Sequence, residues 1–107
     1  MADLDFDLTV APDPEGGRRL TLRGELDLAT AGRLEETLSE VGTPVVLDLK
    51  GLTFMDSTGV RVLLEAAERA GERLRIIPPV DGDARVTIEE TGIAALLPLV
   101  DDPGEQR

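Results

Sequence analysis

Leu4, Phe6, Leu8 and Val10 alternate with Asp5, Asp7 and Thr9, the period-two pattern of a half-buried strand. Residues 11–17 hold two prolines and two glycines and read as a turn. Leu20 and Leu22 then alternate with Arg19, Thr21 and Arg23, so an antiparallel hairpin is predicted. Ala31, Leu34, Leu38 and Val41 recur at helical spacing, with Thr30 as N-cap and Gly42 just past the end. Pro44 resets the chain. The run Val45-Val46-Leu47-Asp48-Leu49 predicts a strand buried on both faces, with residues 50–56 as its exit loop.

Val60, Leu63, Leu64 and Ala67 form the next helical face. That helix starts at Asp56 or Ser57 and ends at Gly71; its polar back of Arg61, Glu65, Glu68 and Arg69 reads as a solvated face. Leu74-Arg75-Ile76-Ile77 is a further strand, stopped by Pro78-Pro79. Asp81 is placed to cap a helix running to Thr91 and closed by Gly92, although the β-branched Val86, Thr87 and Ile88 weaken its propensity. Residues 93–97 suggest one more turn. Pro98-Leu99-Val100 suggests a short edge strand, and 101–107 a frayed polar tail, leaving about 4–100 as the ordered part of one domain over 1–107.

A helix between successive strands implies parallel crossovers. The expected fold is α/β: a single domain with a mixed sheet of four to five strands, an N-terminal hairpin and helices packed mainly on one face. Exit loops of parallel strands share one sheet edge, which gathers residues 24–29, 50–56 and 78–81 around Ser57.

Composition narrows the chemistry. The 107 residues suit one domain, and with Phe6 and Phe54 as the only aromatics the core must be aliphatic. Cysteine and histidine are both absent, which excludes disulfides, thiolate metal sites and any Ser-His-Asp arrangement. A net charge of -11 disfavours direct contact with nucleic acid or anionic membranes and favours a partner with a basic face. No apolar run reaches the length of a membrane span, and the acidic start Met1-Ala2-Asp3-Leu4-Asp5 is unlike a signal peptide, so the cytoplasm is the expected setting.

The chemistry concentrates at Asp56-Ser57-Thr58-Gly59, where strand meets helix. The plainest reading is structural: Asp56 or Ser57 caps the helix, and Gly59 permits close packing. Nucleophilic catalysis by Ser57 would need a base, and Lys50, the single lysine, has no evident desolvation to lower its pKa. Gly51 and Gly59 are wrongly spaced for a phosphate-binding loop, and Asp56 would repel the phosphate. A third reading makes Ser57 the target of modification, since an exposed hydroxyl at a helix start is open to a kinase and tolerates added negative charge.

Val46-Leu47-Asp48-Leu49 followed by Leu52-Thr53-Phe54-Met55-Asp56-Ser57-Thr58-Gly59-Val60 resembles the central motif of STAS domains, in particular the bacterial anti-sigma-factor antagonists. Gly24-Glu25-Leu26-Asp27 with Thr30-Ala31 is similar to that family's second signature, and Thr91-Gly92-Ile93 to the end of its third helix. The resemblance implies a cytoplasmic switch protein that is not itself an enzyme. Its unphosphorylated form binds an anti-sigma factor, usually a serine kinase with an ATP-binding fold, and so releases the sigma factor. The kinase phosphorylates the serine after the motif's acid, here Ser57 (Thr58 offers a second hydroxyl), and a serine phosphatase reverses the step. The partner surface would comprise Glu25, Asp27, Asp56, Ser57, Thr58 and Gly59. No catalytic or metal-ligating residue and no cofactor is assigned; ATP and Mg²⁺ belong to the kinase. The alternative is a STAS regulatory subunit docked on the ATPase of an ABC-type membrane transport complex. Two departures stand out: Thr58 occupies a place often held by serine, and the family's further C-terminal helix is missing or very short.

Overall fold

The computed structural model describes residues 6–101. Leu4, expected at the head of the first strand, and the expected tail beyond Asp101 lie outside the described residues. The elements run in the order β1 (Phe6–Pro12), β2 (Arg18–Leu26), α1 (Ala31–Val41), β3 (Val45–Met55), α2 (Ser57–Ala70), β4 (Leu74–Ile77) and α3 (Gly82–Thr91). Short 3-10 turns cover Gly71–Arg73 and Ile93–Leu96.

The sheet order is β1-β2-β3-β4. β1 and β2 form the antiparallel hairpin, with Phe6 opposite Gly24 and Pro12 opposite Arg18. β2, β3 and β4 are parallel, joined by α1 and α2. The expected fifth strand is reduced to one parallel bridge between Ile76 and Leu99. Ile76 N donates to Pro98 O at 2.9 Å, and Val100 N donates to Ile76 O at 2.9 Å. Pro98 serves only as acceptor, so its missing N–H costs nothing there.

One face of the sheet carries the core. Leu20, Leu22 and Leu26 of β2, Leu47 and Leu49 of β3, and Leu74 and Ile76 of β4 pack with Ala31 and Leu34 of α1, Val62 and Leu63 of α2, and Ala84 and Ile88 of α3. Phe6 closes this core at the β1 edge, with the Arg33 guanidinium 5.1 Å above its ring.

The opposite face is held by charge. Asp48, buried on β3, accepts from Arg19 Nη2 at 2.7 Å and from its own strand's Lys50 N at 3.0 Å. Asp13 in the hairpin turn lies 3.7 Å from Arg19 and 3.9 Å from Arg75, and Arg75 bonds Glu15 at 2.9 Å. The turn is thereby tied to β2 and, across β3, to β4.

β3 departs from expectation. It does not stop at Leu49 but runs to Met55, so residues 50–55 are strand and not exit loop. The β2–β3 register shifts twice, between Thr21 and Arg23 and between Gly24 and Glu25. At each shift β3 carries an extra residue, which flips the alternation. Leu49, Leu52 and Met55 are consequently buried at intervals of three. β2 is also longer than its pattern suggests, reaching Leu26.

β4 ends at Ile77 beside Asp48, well short of the end of β3. Residues Pro78, Pro79 and Val80 therefore leave the sheet beside Lys50, with which they line a shared cleft. α3 continues alongside the rest of β3: a Cβ on Gly82 would lie 3.5 Å from Thr53 O, and Thr87 Oγ1 donates to Met55 O at 3.3 Å. The third loop expected next to Ser57 is thus replaced there by a helix.

Candidate functional site

The end of β3 hands directly to α2 through Asp56. Its extended backbone (φ -103°, ψ -172°) makes it the N-cap, and its Oδ1 accepts from Thr58 N at 2.9 Å and Gly59 N at 3.1 Å. Two of the helix's otherwise unsatisfied amides are satisfied in this way. Asp56 N donates to Leu26 O at 3.2 Å, which ties the start of the helix to the end of β2.

Gly59 is buried at the point of closest approach. A Cβ there would sit 2.6 Å from Met55 Cγ and 2.9 Å from Leu26 O. The glycine is required by space, since the helix's first turn rests on the β2 backbone. Met55 is buried as the gap-filling core residue that its unbranched side chain suits.

Ser57 is the first residue of α2 and is exposed, and its hydroxyl makes no hydrogen bond among the described residues. Thr58 beside it is half-buried. Because the capping is done by Asp56, the Ser57 hydroxyl is left available for chemistry.

Glu25 and Asp27 lie on the neighbouring chain segment, both half-buried. Glu25 pairs with Phe54 in the β2–β3 register. Asp27 closes a tight turn: its Oδ1 accepts from Ala29 N at 3.0 Å, and its backbone N donates to Thr30 Oγ1 at 2.9 Å. Thr30 does stand at the N-cap position of α1, but its side chain makes no capping bond. Its hydroxyl turns back to donate to Glu25 O at 2.8 Å, so the expected cap is instead a loop brace.

Lys50 takes no part in this site. It lies on β3 with its Nζ 4.0 Å from Asp48 Oδ2, and four further strand residues separate it from Met55. The Ser57–Lys50 pair weighed from the sequence is not assembled. Leu28 and Phe54 are exposed apolar residues that the helix and strand patterns passed over. Leu28 falls between two elements and so has no periodicity to flag it, although its place next to Asp27 at a strand exit was a usable signal.

The site is a surface serine fixed at the first turn of a helix, on a small α/β domain with acids on the adjoining strand exit. The domain belongs to the STAS family: the family model described as "Mlab, STAS domain" matches residues 12–98. The chain is 38% identical over 72 residues to the anti-sigma-F factor antagonist RsfB of Mycobacterium tuberculosis, a match covering 64% of this chain and 58% of that protein. The match thus spans a little over half the length of that curated relative. A crystal structure of an anti-sigma factor antagonist from Mycobacterium paratuberculosis superposes with TM-score 0.79 at 25% identity, covering 94% of this chain and 89% of the other. The anti-sigma factor antagonist SpoIIAA in its unphosphorylated form superposes with TM-score 0.70 at 20% identity over 92% and 90% of the two chains, a likeness of fold.

Proposed function

We propose that this chain is an anti-sigma-factor antagonist controlled by phosphorylation of Ser57. Unphosphorylated, it binds an anti-sigma factor that is a serine kinase, and the sigma factor is released. The kinase uses its own ATP and Mg²⁺ to phosphorylate Ser57, binding is lost, and a serine phosphatase restores it. Glu25, Asp27, Asp56, Ser57, Thr58 and Gly59 make up the partner surface, and the reading assigns this chain no catalysis. Its setting is the cytoplasm.

The observation that carries the reading is the Ser57 hydroxyl, exposed and unengaged beside an aspartate that already caps the helix. A phosphate there adds about -1.5 to -2 charge. At a close-packed contact the phosphate's bulk and its desolvation oppose binding, and a loss of about 1.4 kcal/mol is already tenfold in affinity.

Incubating the protein with its candidate kinase and ATP, followed by phosphosite mapping, tests the reading. Phosphate is expected on Ser57, none on Ser57→Ala, and kinase binding is expected to fall for Ser57→Asp. Modification confined to Thr58, or unchanged binding by Ser57→Asp, overturns it. Recovery of transporter ATPase components in place of a soluble kinase would favour the transport-subunit alternative.

A further inference from the structure

Leu28 is the most exposed of the large apolar side chains among the described residues, at 79%. It stands in the turn immediately after β2, two residues beyond Leu26, whose carbonyl receives Asp56 N and abuts Gly59. The turn that carries Leu28 therefore leaves the sheet edge from the residue against which the start of α2 rests. Phe54, next to Glu25 in register, is exposed on the same edge. Val86, also exposed, lies one helical turn after Gly82, the α3 residue that abuts Thr53.

A loop leucine left to itself would fold back onto the surface. Here the turn is fixed on both sides of it. Asp27 Oδ1 accepts from Ala29 N at 3.0 Å, Thr30 Oγ1 donates to Glu25 O at 2.8 Å, and Asp27 O accepts from Ala31 N at 2.8 Å. The leucine is held out before any partner arrives, which lowers the ordering cost of binding.

Resting on the antagonist reading above, we infer that Leu28 is the apolar anchor of the kinase interface, and that Asp27 is the positioning residue that presents it. The partner is a protein face with an apolar pocket rimmed by arginine or lysine. The rim follows from charge complementarity: Glu25 and Asp27 lie within three residues of Leu28, and Asp56 is hydrogen-bonded to Leu26, on a chain of net charge -11. A pocketed apolar anchor inside a charged rim is the arrangement that concentrates binding energy.

The test measures binding, by calorimetry, to the kinase that phosphorylates Ser57. Leu28→Ser is expected to weaken binding about tenfold or more, with no change in the thermal unfolding midpoint. Leu96→Ser removes a comparably exposed leucine beside α2 and is expected to stay within about twofold of the parent chain. Asp27→Asn keeps an acceptor for Ala29 N and is expected to lose clearly less binding than Asp27→Ala, the part it does lose being that of the charge facing the rim. Equal loss in Asp27→Asn and Asp27→Ala overturns the positioning role. If Leu28→Ser binds like the parent while Ser57→Asp does not, the anchor is overturned and the antagonist reading stands. If neither substitution affects binding, both are overturned.

Discussion

Gly59 and Asp56 divide the work that keeps Ser57 where it is. Gly59 removes the atom that would collide with Leu26 O, and Asp56 satisfies the amides the helix leaves open. Gly59→Ala forces either β2 or Met55 to move and is expected to cost about 1–3 kcal/mol in denaturant unfolding. Asp56→Ala removes the cap and is expected to cost about 1 kcal/mol in the same measurement, with Asp56→Asn costing clearly less. The close packing at Gly59 was legible from residue type and place, whereas the cap was open between Asp56 and Ser57 until the geometry assigned it to Asp56. Thr30 holds the N-cap position of α1 as its place suggests, but its side chain makes no capping bond. Its hydroxyl had a competing acceptor in Glu25 O, and that choice depends on where the preceding loop runs.

β3 is the element on which sequence patterning failed, and the failure has a cause. Alternation is the signal of a strand, and two extra residues in β3 reverse it twice within a few positions. Leu52, Thr53, Phe54 and Met55 then look aperiodic and read as loop. The helices, whose apolar positions meet no such interruption, fall at 31–41, 57–70 and 82–91 as their spacing indicates. The polar residue in the middle of β3 is explained by the opposite sheet face, where Asp48 meets Arg19. Arg19 is partly exposed and keeps Asp13 3.7 Å away, so Asp48→Ala is expected to lower stability by about 1–3 kcal/mol in urea unfolding.

For the molecule as a whole, charge governs the encounter and shape governs how long the complex lasts. With a net charge of -11 the chain is attracted to a basic partner over distances beyond contact. Raising ionic strength from ~0.1 M to ~1 M shrinks the screening length from about 10 Å to about 3 Å. Association with the kinase is expected to slow severalfold over that range in stopped-flow measurements, while dissociation changes little. The Leu26 carbonyl links this outer surface to the interior, since it accepts Asp56 N from the last position before α2. That bond joins the last residue of β2 to the residue that follows β3, and so ties the helix start to the cooperative unit of the sheet. In hydrogen-exchange terms, the Asp56 amide belongs with the slowest class, those released to solvent only when the entire domain opens. Ser57 is a solvent-facing residue whose adjacent backbone is expected to report global unfolding.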